Sequence, residues 1–271
     1  MQNTVYYPKS NISRLVSKYA VIQTTPGKEE IITEKSFSNG LCALIFNFGK
    51  AVVGYENQEI TLPEVFVALT VLKYVNLILY PPIDGIIVMC NPSYFSRIFG
   101  LDFSKNSFAP FVDFSGYFPS KNIEKIKKEK NPVKRIELIE QELLLKIENQ
   151  IAKTDKIDLL CDKLLASKGK GNISDLLKEL GLNERTVRRN FPKRVGVSPK
   201  AFARVIRFNY LWHLVTEQHP DFMNLIFECE YFDQAHFIHD FKYITGESPK
   251  EFFGKNSEIV KILSLFEEKS G

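Results

Sequence analysis

Two segments of this chain, fifty residues apart, carry one pattern. The first, L-x-L-N-E-R-T-V-R-R-N-F-P-K-R-V-G-V-S-P-K-A-F, runs from Leu180 to Phe202. The second, Y-F-D-Q-A-H-F-I-H-D-F-K-Y-I-T-G-E-S-P-K-E-F, runs from Tyr231 to Phe252. At one constant offset Asn183 falls on Asp233, Val187 on Phe237, Phe191 on Phe241, Gly196 on Gly246, and Ser198-Pro199-Lys200 on Ser248-Pro249-Lys250. A repeat at fixed spacing marks one supersecondary unit used twice.

In the first copy Asn172 can cap a helix whose apolar side is Ile173, Leu176, Leu177 and Leu180, with Gly181 ending it. Asn183 then caps a second helix, which gives helix, glycine-containing turn, helix. On that second helix Val187, Phe191 and Val195 face inward at i, i+4, i+8, while Arg185, Arg188 and Arg189 share another face. A helix fits the major groove of B-DNA, and an arginine fork matches the O6/N7 edge of guanine. A solvated basic surface is the plainer reading; the repeat and the caps together favour DNA.

On these residues, and on the run from Tyr231 to Lys242, the segment 171–253 resembles the DNA-binding domain of the AraC family of bacterial transcription regulators. The resemblance implies two helix-turn-helix units joined by a long helix, with Ser198 as its N-cap, Pro199 at its first position, and Phe202, Val205, Ile206, Tyr210, Leu211 and Leu214 continuing it to about Thr216. It implies recognition helices in successive major-groove segments, about 34 Å apart. The base-reading positions carried over are Arg185, Thr186, Arg188 and Arg189 in the first unit, and Gln234, Ala235, His236, Ile238 and His239 in the second. Asn183, Lys193, Arg194, Lys200, Lys242 and Lys250 are the expected phosphate contacts. Two positions depart from the family pattern. Pro192 stands inside the first recognition helix, where it removes a bond to the Arg188 carbonyl and threatens to bend or end the helix; His239 replaces a common arginine. With two aspartates and one lysine, the helix from Asp233 to Ile244 is expected to hold DNA more weakly than the first.

The first third reads as strands. Leu41–Phe48, Ala51–Tyr55, Val65–Val71, Val75–Leu79 and Gly85–Cys90 are short apolar runs separated by Gly, Pro and Asn. Ile12, Leu15, Val16 and Tyr19 have helical spacing. Phe95, Phe99, Phe103, Phe108, Phe111, Phe114 and Phe118 read as a packed lid, with a ligand pocket as the sharper alternative. After Pro119 the chain turns charged. The helix expected over Val133–Ile151 has Ile136, Ile139, Leu143, Leu144 and Ile147 on one side, free to pack on its own chain or on a second copy. A helix over Ile157–Ala166 follows.

The expected fold is α+β: a small N-terminal β-barrel or sheet domain, divergent and cupin-like by resemblance, then an all-α domain with two helix-turn-helix units joined by a long helix. The expected divisions are a sensory or oligomerisation domain over 1–120, a charged boundary and amphipathic linker over 121–155, the DNA-binding domain over 156–256, and a helical tail over 257–271. Charge agrees. Residues 1–120 hold nine basic and nine acidic side chains, whereas 121–170 hold thirteen against nine.

Residues 1–120 contain no histidine, the four being His213, His219, His236 and His239, which argues against a His-ligated metal and oxygenase chemistry there. His236 and His239 are three apart but have no third ligand close in sequence, so no metal and no cofactor are expected. No catalytic constellation stands out. Cys42, Cys90, Cys161 and Cys229 form no C-x-x-C pair and read as reduced thiols of a cytoplasmic protein without a signal peptide, Cys161 and Cys229 as buried small hydrophobes. Residues 65–83 are apolar enough to suggest a membrane span, but Lys73, Asn76 and Pro81-Pro82 suit buried strands better. The function expected is a sequence-specific, non-enzymatic regulator of transcription that binds duplex DNA and no membrane. A small-molecule effector, a second copy of the chain and a contact with RNA polymerase are left open. The rival readings are a metal-free barrel enzyme and an interaction protein with an acidic partner.

Overall fold

The strands of the N-terminal half follow from alternation. β4 (Cys42–Asn47) sends Cys42, Leu44 and Phe46 to one face and Ala43 and Ile45 to the other. A strand with two apolar faces must lie between two layers. The computed structural model describes residues 2–9, 11–24, 30–55, 58–105, 110–147, 153–218, 227–231, 233–249 and 252. Lys250, Phe108, Phe232, residues 148–151 and the tail expected over 257–271 lie outside them.

The other strands are β1 (Gln2–Tyr6), β2 (Val16–Gln23), β3 (Ile32–Ser36), β5 (Lys50–Tyr55), β6 (Gln58–Thr61), β7 (Val65–Ala68), β8 (Val75–Tyr80), β9 (Asp84–Cys90) and β10 (Phe111–Asp113). All pairings are antiparallel. One sheet has the order β1-β2-β9-β4-β7-β10 and the other β3-β8-β5-β6. The expected barrel is therefore not closed: it is two sheets, with the chain crossing between them at β2–β3, β3–β4, β4–β5, β6–β7, β7–β8 and β8–β9. The β4–β5 crossing needs glycine, because a Cβ on Gly49 would meet the Pro82 carbonyl oxygen at 2.8 Å.

The outer face of the six-stranded sheet is covered by α1 (Pro92–Phe99), α2 (Ser120–Lys128) and α3 (Pro132–Ile147). Ile136, Ile139, Leu143 and Ile147 of α3 join Leu44, Phe46, Val88 and Phe95 in one core. So α3 packs on its own chain. Two charged side chains go in with it. Arg135 is 1 % exposed, grips Asp84 through both terminal nitrogens at 2.6 and 3.3 Å, and donates through Nε to the Ile126 carbonyl. Buried Glu140 accepts from the Tyr19 hydroxyl at 2.9 Å. Phe95, Phe103, Phe114 and Phe118 are buried in contact with one another or the sheet, which is the packed-lid reading.

The helical spacing of Ile12, Leu15, Val16 and Tyr19 does not make a helix. Residues 11–15 form turns, and β2 starts at Val16. A register shift between Val16 and Lys18 lets Val16 and Tyr19 both turn inward, which imitates a helical period. Residues 65–83 divide between β7, a connection and β8, and among the described residues no helix is long and apolar enough to cross a membrane.

The C-terminal half is helical: α4 (Lys156–Ala166), α5 (Ile173–Glu179), α6 (Glu184–Val195), α7 (Pro199–Gln218) and α8 (Gln234–Thr245). At α4 Asp155 and Asp158 form a capping box. Two cores result. Leu160, Leu164, Leu177, Val187, Phe191, Phe202 and Ile206 make the first, and Phe208, Leu211, Trp212, Phe237, Phe241 and Ile244 the second. α7 contributes its first half to one and its second half to the other.

Candidate nucleic-acid interface

Each helix of the first unit is set by its ends. Asn172 Oδ1 accepts from the Ser174 N–H at 2.8 Å and starts α5. Gly181, at φ 57°, turns the chain, and Asn183 Oδ1 accepts from the N–H groups of Arg185 and Thr186 at 2.9 and 3.4 Å to start α6. Val187, Phe191 and Val195 then bury one side completely. That fixes the rotation of the helix, so Arg185, Thr186, Arg188 and Arg189 are all exposed on the other side. Pro192 lies inside α6 without ending it, and the helix runs on to Val195 and a left-handed cap at Gly196. The cost of the missing bond is met by the burial of Phe191 and Val195 on either side of it.

Ser198 Oγ accepts from the Ala201 N–H at 3.3 Å, and α7 follows for 20 residues, about 30 Å at 1.5 Å per residue. In the second unit Cys229 is buried, Glu230 turns the chain at φ 54°, and Asp233 Oδ1 caps α8 through the His236 N–H at 2.7 Å. Phe237, Phe241 and Ile244 face inward. Gln234, Ala235, His236, Ile238 and His239 are exposed.

Not every expected residue is on the surface. Lys193, Lys200 and Lys242 are exposed, and Asn183 serves as a cap. Arg194, expected to meet phosphate, turns inward instead. Its guanidinium reaches Asp158 Oδ1 at 2.5 Å, Asp155 Oδ2 at 3.0 Å, and the Ser93 carbonyl and hydroxyl at 3.1 and 3.2 Å. Asp158, fully buried, also accepts from the Ser93 hydroxyl at 2.7 Å and from Arg97 Nε at 2.8 Å. One carboxylate thus joins α1, α4 and α6. Burial pushes the Asp155 carboxyl up, but the Asp158 N–H, the Arg194 guanidinium and the Ile157 N–H together hold it below the ordinary aspartate value.

Asp240 also differs from expectation. It is buried against Arg204 of α7, with Oδ2 3.3 Å from Nε, so it adds no free negative charge to the outer face. His236 and His239 each lie 3.7 Å from it. Burial pushes the thiols of Cys42, Cys90 and Cys161 well up, and that of Cys229 to about 11.

Residues 176–255 match a family model described as a helix-turn-helix domain. The C-terminal part of this chain is a helix-turn-helix domain of the AraC type. That domain makes the chain a DNA-binding regulator of transcription. No curated protein matches the chain. Among solved structures, the chain is similar to ToxT from Vibrio cholerae, with 11 % identity over 93 % of this chain and 97 % of that one and a TM-score of 0.48. A structure of ToxT from Vibrio cholerae bound to (E)-4-(8-methylnaphthalen-1-yl)but-3-enoic acid has 13 % identity over 97 % of this chain and 98 % of that one, at a TM-score of 0.46. The AraC-like transcriptional activator CuxR has 10 % identity over 77 % of this chain and 85 % of that one, at 0.31.

Proposed function

We propose that the chain reads two successive major-groove segments, α6 through Arg185, Arg188 and Arg189 and α8 through Gln234, His236 and His239. The observation that carries this is the orientation of α6. Its capped start and fully buried inner side leave three arginines on one outward face, which is the arrangement base reading needs. Lys193, Lys200 and Lys242 supply phosphate contacts around it. α6 carries more of the affinity than α8, because it presents three permanent cations where α8 presents histidines and a glutamine.

The N-terminal domain is the controlling part. Between its two sheets lie adjoining spaces of about 180 and 160 Å³, walled by Ile22, Ile45, Leu77, Leu79 and Ile87. They suit a small, largely apolar effector. A dimer built through the Ile136–Ile147 side of α3 is not available, since that side is already packed on the sheet.

The test is selection of bound sequences from a random duplex library by the full chain, followed by titration of the selected duplex against a scrambled one. A selected sequence with two separated blocks, bound at least about a thousandfold more tightly than the scrambled duplex, is expected. Equal affinity for both would overturn the reading.

A further inference from the structure

The end of α8 is bonded to one short piece of the N-terminal domain, and the end of α6 comes near the same piece. A helix leaves its last four carbonyls without partners of its own. At the end of α8 the Tyr74 N–H donates to the Ile244 carbonyl at 3.0 Å. The Lys35 ammonium donates to the Thr245 carbonyl at 3.2 Å and pairs with Glu247. A cation here also opposes the negative end of the helix dipole. The Tyr74 ring lies so near that a Cβ on Gly246 would come within 2.7 Å of it.

At the end of α6 the Ser96 hydroxyl, which donates to the Leu101 carbonyl at 2.7 Å, lies 3.4 Å from the Lys193 carbonyl oxygen. A Cβ on Gly196 would lie 3.9 Å from the Thr70 carbonyl oxygen and 3.7 Å from Phe103 Cβ. Thr70 and Tyr74 bound the β7–β8 connection. Four residue steps of chain span at most about 14 Å, so these two contact points cannot be far apart.

The cores of the two units share only α7, beside which the exposed Gly171 N–H of the first unit donates to Glu230 Oε2 of the second at 2.8 Å. Long helices bend readily, with radii on the order of 60–100 Å. A single helix 20 residues long therefore leaves the angle between its two attached units soft. A second connection at the far ends of α6 and α8 turns one strut into a triangle.

We propose that the Thr70–Tyr74 connection, with Lys35 and Ser96 beside it, fixes the separation and angle of the two recognition helices and so determines which half-site spacing the chain accepts on DNA. These are positioning residues. They touch no base, and the inference rests on the DNA reading given above.

The test keeps the selected half-sites constant and changes their separation by one base pair in either direction, for the full chain, for Lys35→Met and for a chain with two glycines inserted between Leu72 and Lys73. Each added base pair shifts one half-site by about 3.4 Å and turns it by about a tenth of a helical turn. The unaltered chain is expected to lose about tenfold in affinity at either changed spacing, and both variants about threefold or less, because a softer angle tolerates the shift. Variants that keep the parent spacing profile, even at uniformly lower affinity, would overturn the proposal while leaving the DNA reading intact. Failure of the unaltered chain to select any sequence would overturn both. Loss of fold lowers binding at every spacing and cannot broaden the preference, so either variant alone is sufficient if the other does not fold.

Discussion

Arg188 and Arg194 are six residues apart on one helix and do opposite things. Arg188→Ala is expected to lose about 1–3 kcal/mol on the selected duplex and to relax one base position, seen by titrating duplexes substituted at each position. Arg194→Ala takes one partner from the buried carboxylate of Asp158, and removing such a partner costs about 3–5 kcal/mol. With Arg97 and Ser93 still in place the lower end is expected, measured as a shift of the urea midpoint. Lys193→Ala should leave stability alone and reduce the salt slope of DNA binding by about one. The sequence shows the contrast poorly. Arg194 reads as one more cation at a basic helix end, since nothing local announces Asp158 thirty-six residues earlier or Ser93 in another domain. The arginines of α6 were legible because Val187, Phe191 and Val195 declare the inner side and leave only one outward face. Thiol chemistry belongs at this scale too. The four cysteines are buried and their pKa values raised, so the native chain should react slowly with an alkylating reagent and take up four equivalents only when unfolded.

Among elements, α6 holds an unresolved tension between cap and proline. Asn183→Ala should cost about 0.5–2 kcal/mol through two lost N-cap bonds, whereas Pro192→Ala should stabilise by up to about 3 kcal/mol, both read from urea unfolding. A Pro192→Ala chain no more stable than the parent would mean that the proline ring's packing outweighs the bond it removes. For α4 the relevant group is Asp155. Its folded pKa lies below the unfolded value of 3.8, so its contribution is present above that value and lost as the pH falls through the folded one. Stability should therefore drop below about pH 4, and Asp155→Asn should flatten that part of the curve. The helices and the strands of the buried layers were readable from period and punctuation. β3, with the sequence I-T-E-K-S, and β6, with Q-E-I-T, were not, because edge strands are half-solvated and carry little apolar alternation. β2 was masked by its register shift. α3 was read correctly as amphipathic but not as part of the N-terminal core, since Arg135 and Glu140 look like solvent residues until Asp84 and Tyr19 are seen opposite them.

For the whole molecule, a boundary read from composition near Pro119 is not where the contacts end. α1 belongs to the sheet through Phe95 and to α6 through Ser93 and Ser96. Phe37, on the exit from β3, packs tilted against Phe208 and edge-on against Phe252, with ring centroids 5.8 and 5.7 Å away, at the second core. Signals from any effector held between the sheets would have a short way to travel, because the β7–β8 connection borders that space and is bonded to the end of α8. A chain of residues 153–271 alone is expected to bind the selected duplex with a broader spacing preference than the full chain, which a competition assay across spacings would show. Equal preference in both would place all of the spacing control in α7.

The Asp158 cluster has a consequence for anyone exchanging parts between regulators. A graft of residues 153–271 onto a foreign sensor carries the aspartate and Arg194 with it but leaves Ser93 and Arg97 behind. The transplanted half would arrive with an anion built for three side-chain donors and only one of them supplied. A recipient can accept it only if its own sensor offers a hydroxyl and a guanidinium at the same two places, so compatibility between halves is decided by α1, a helix of the half left behind.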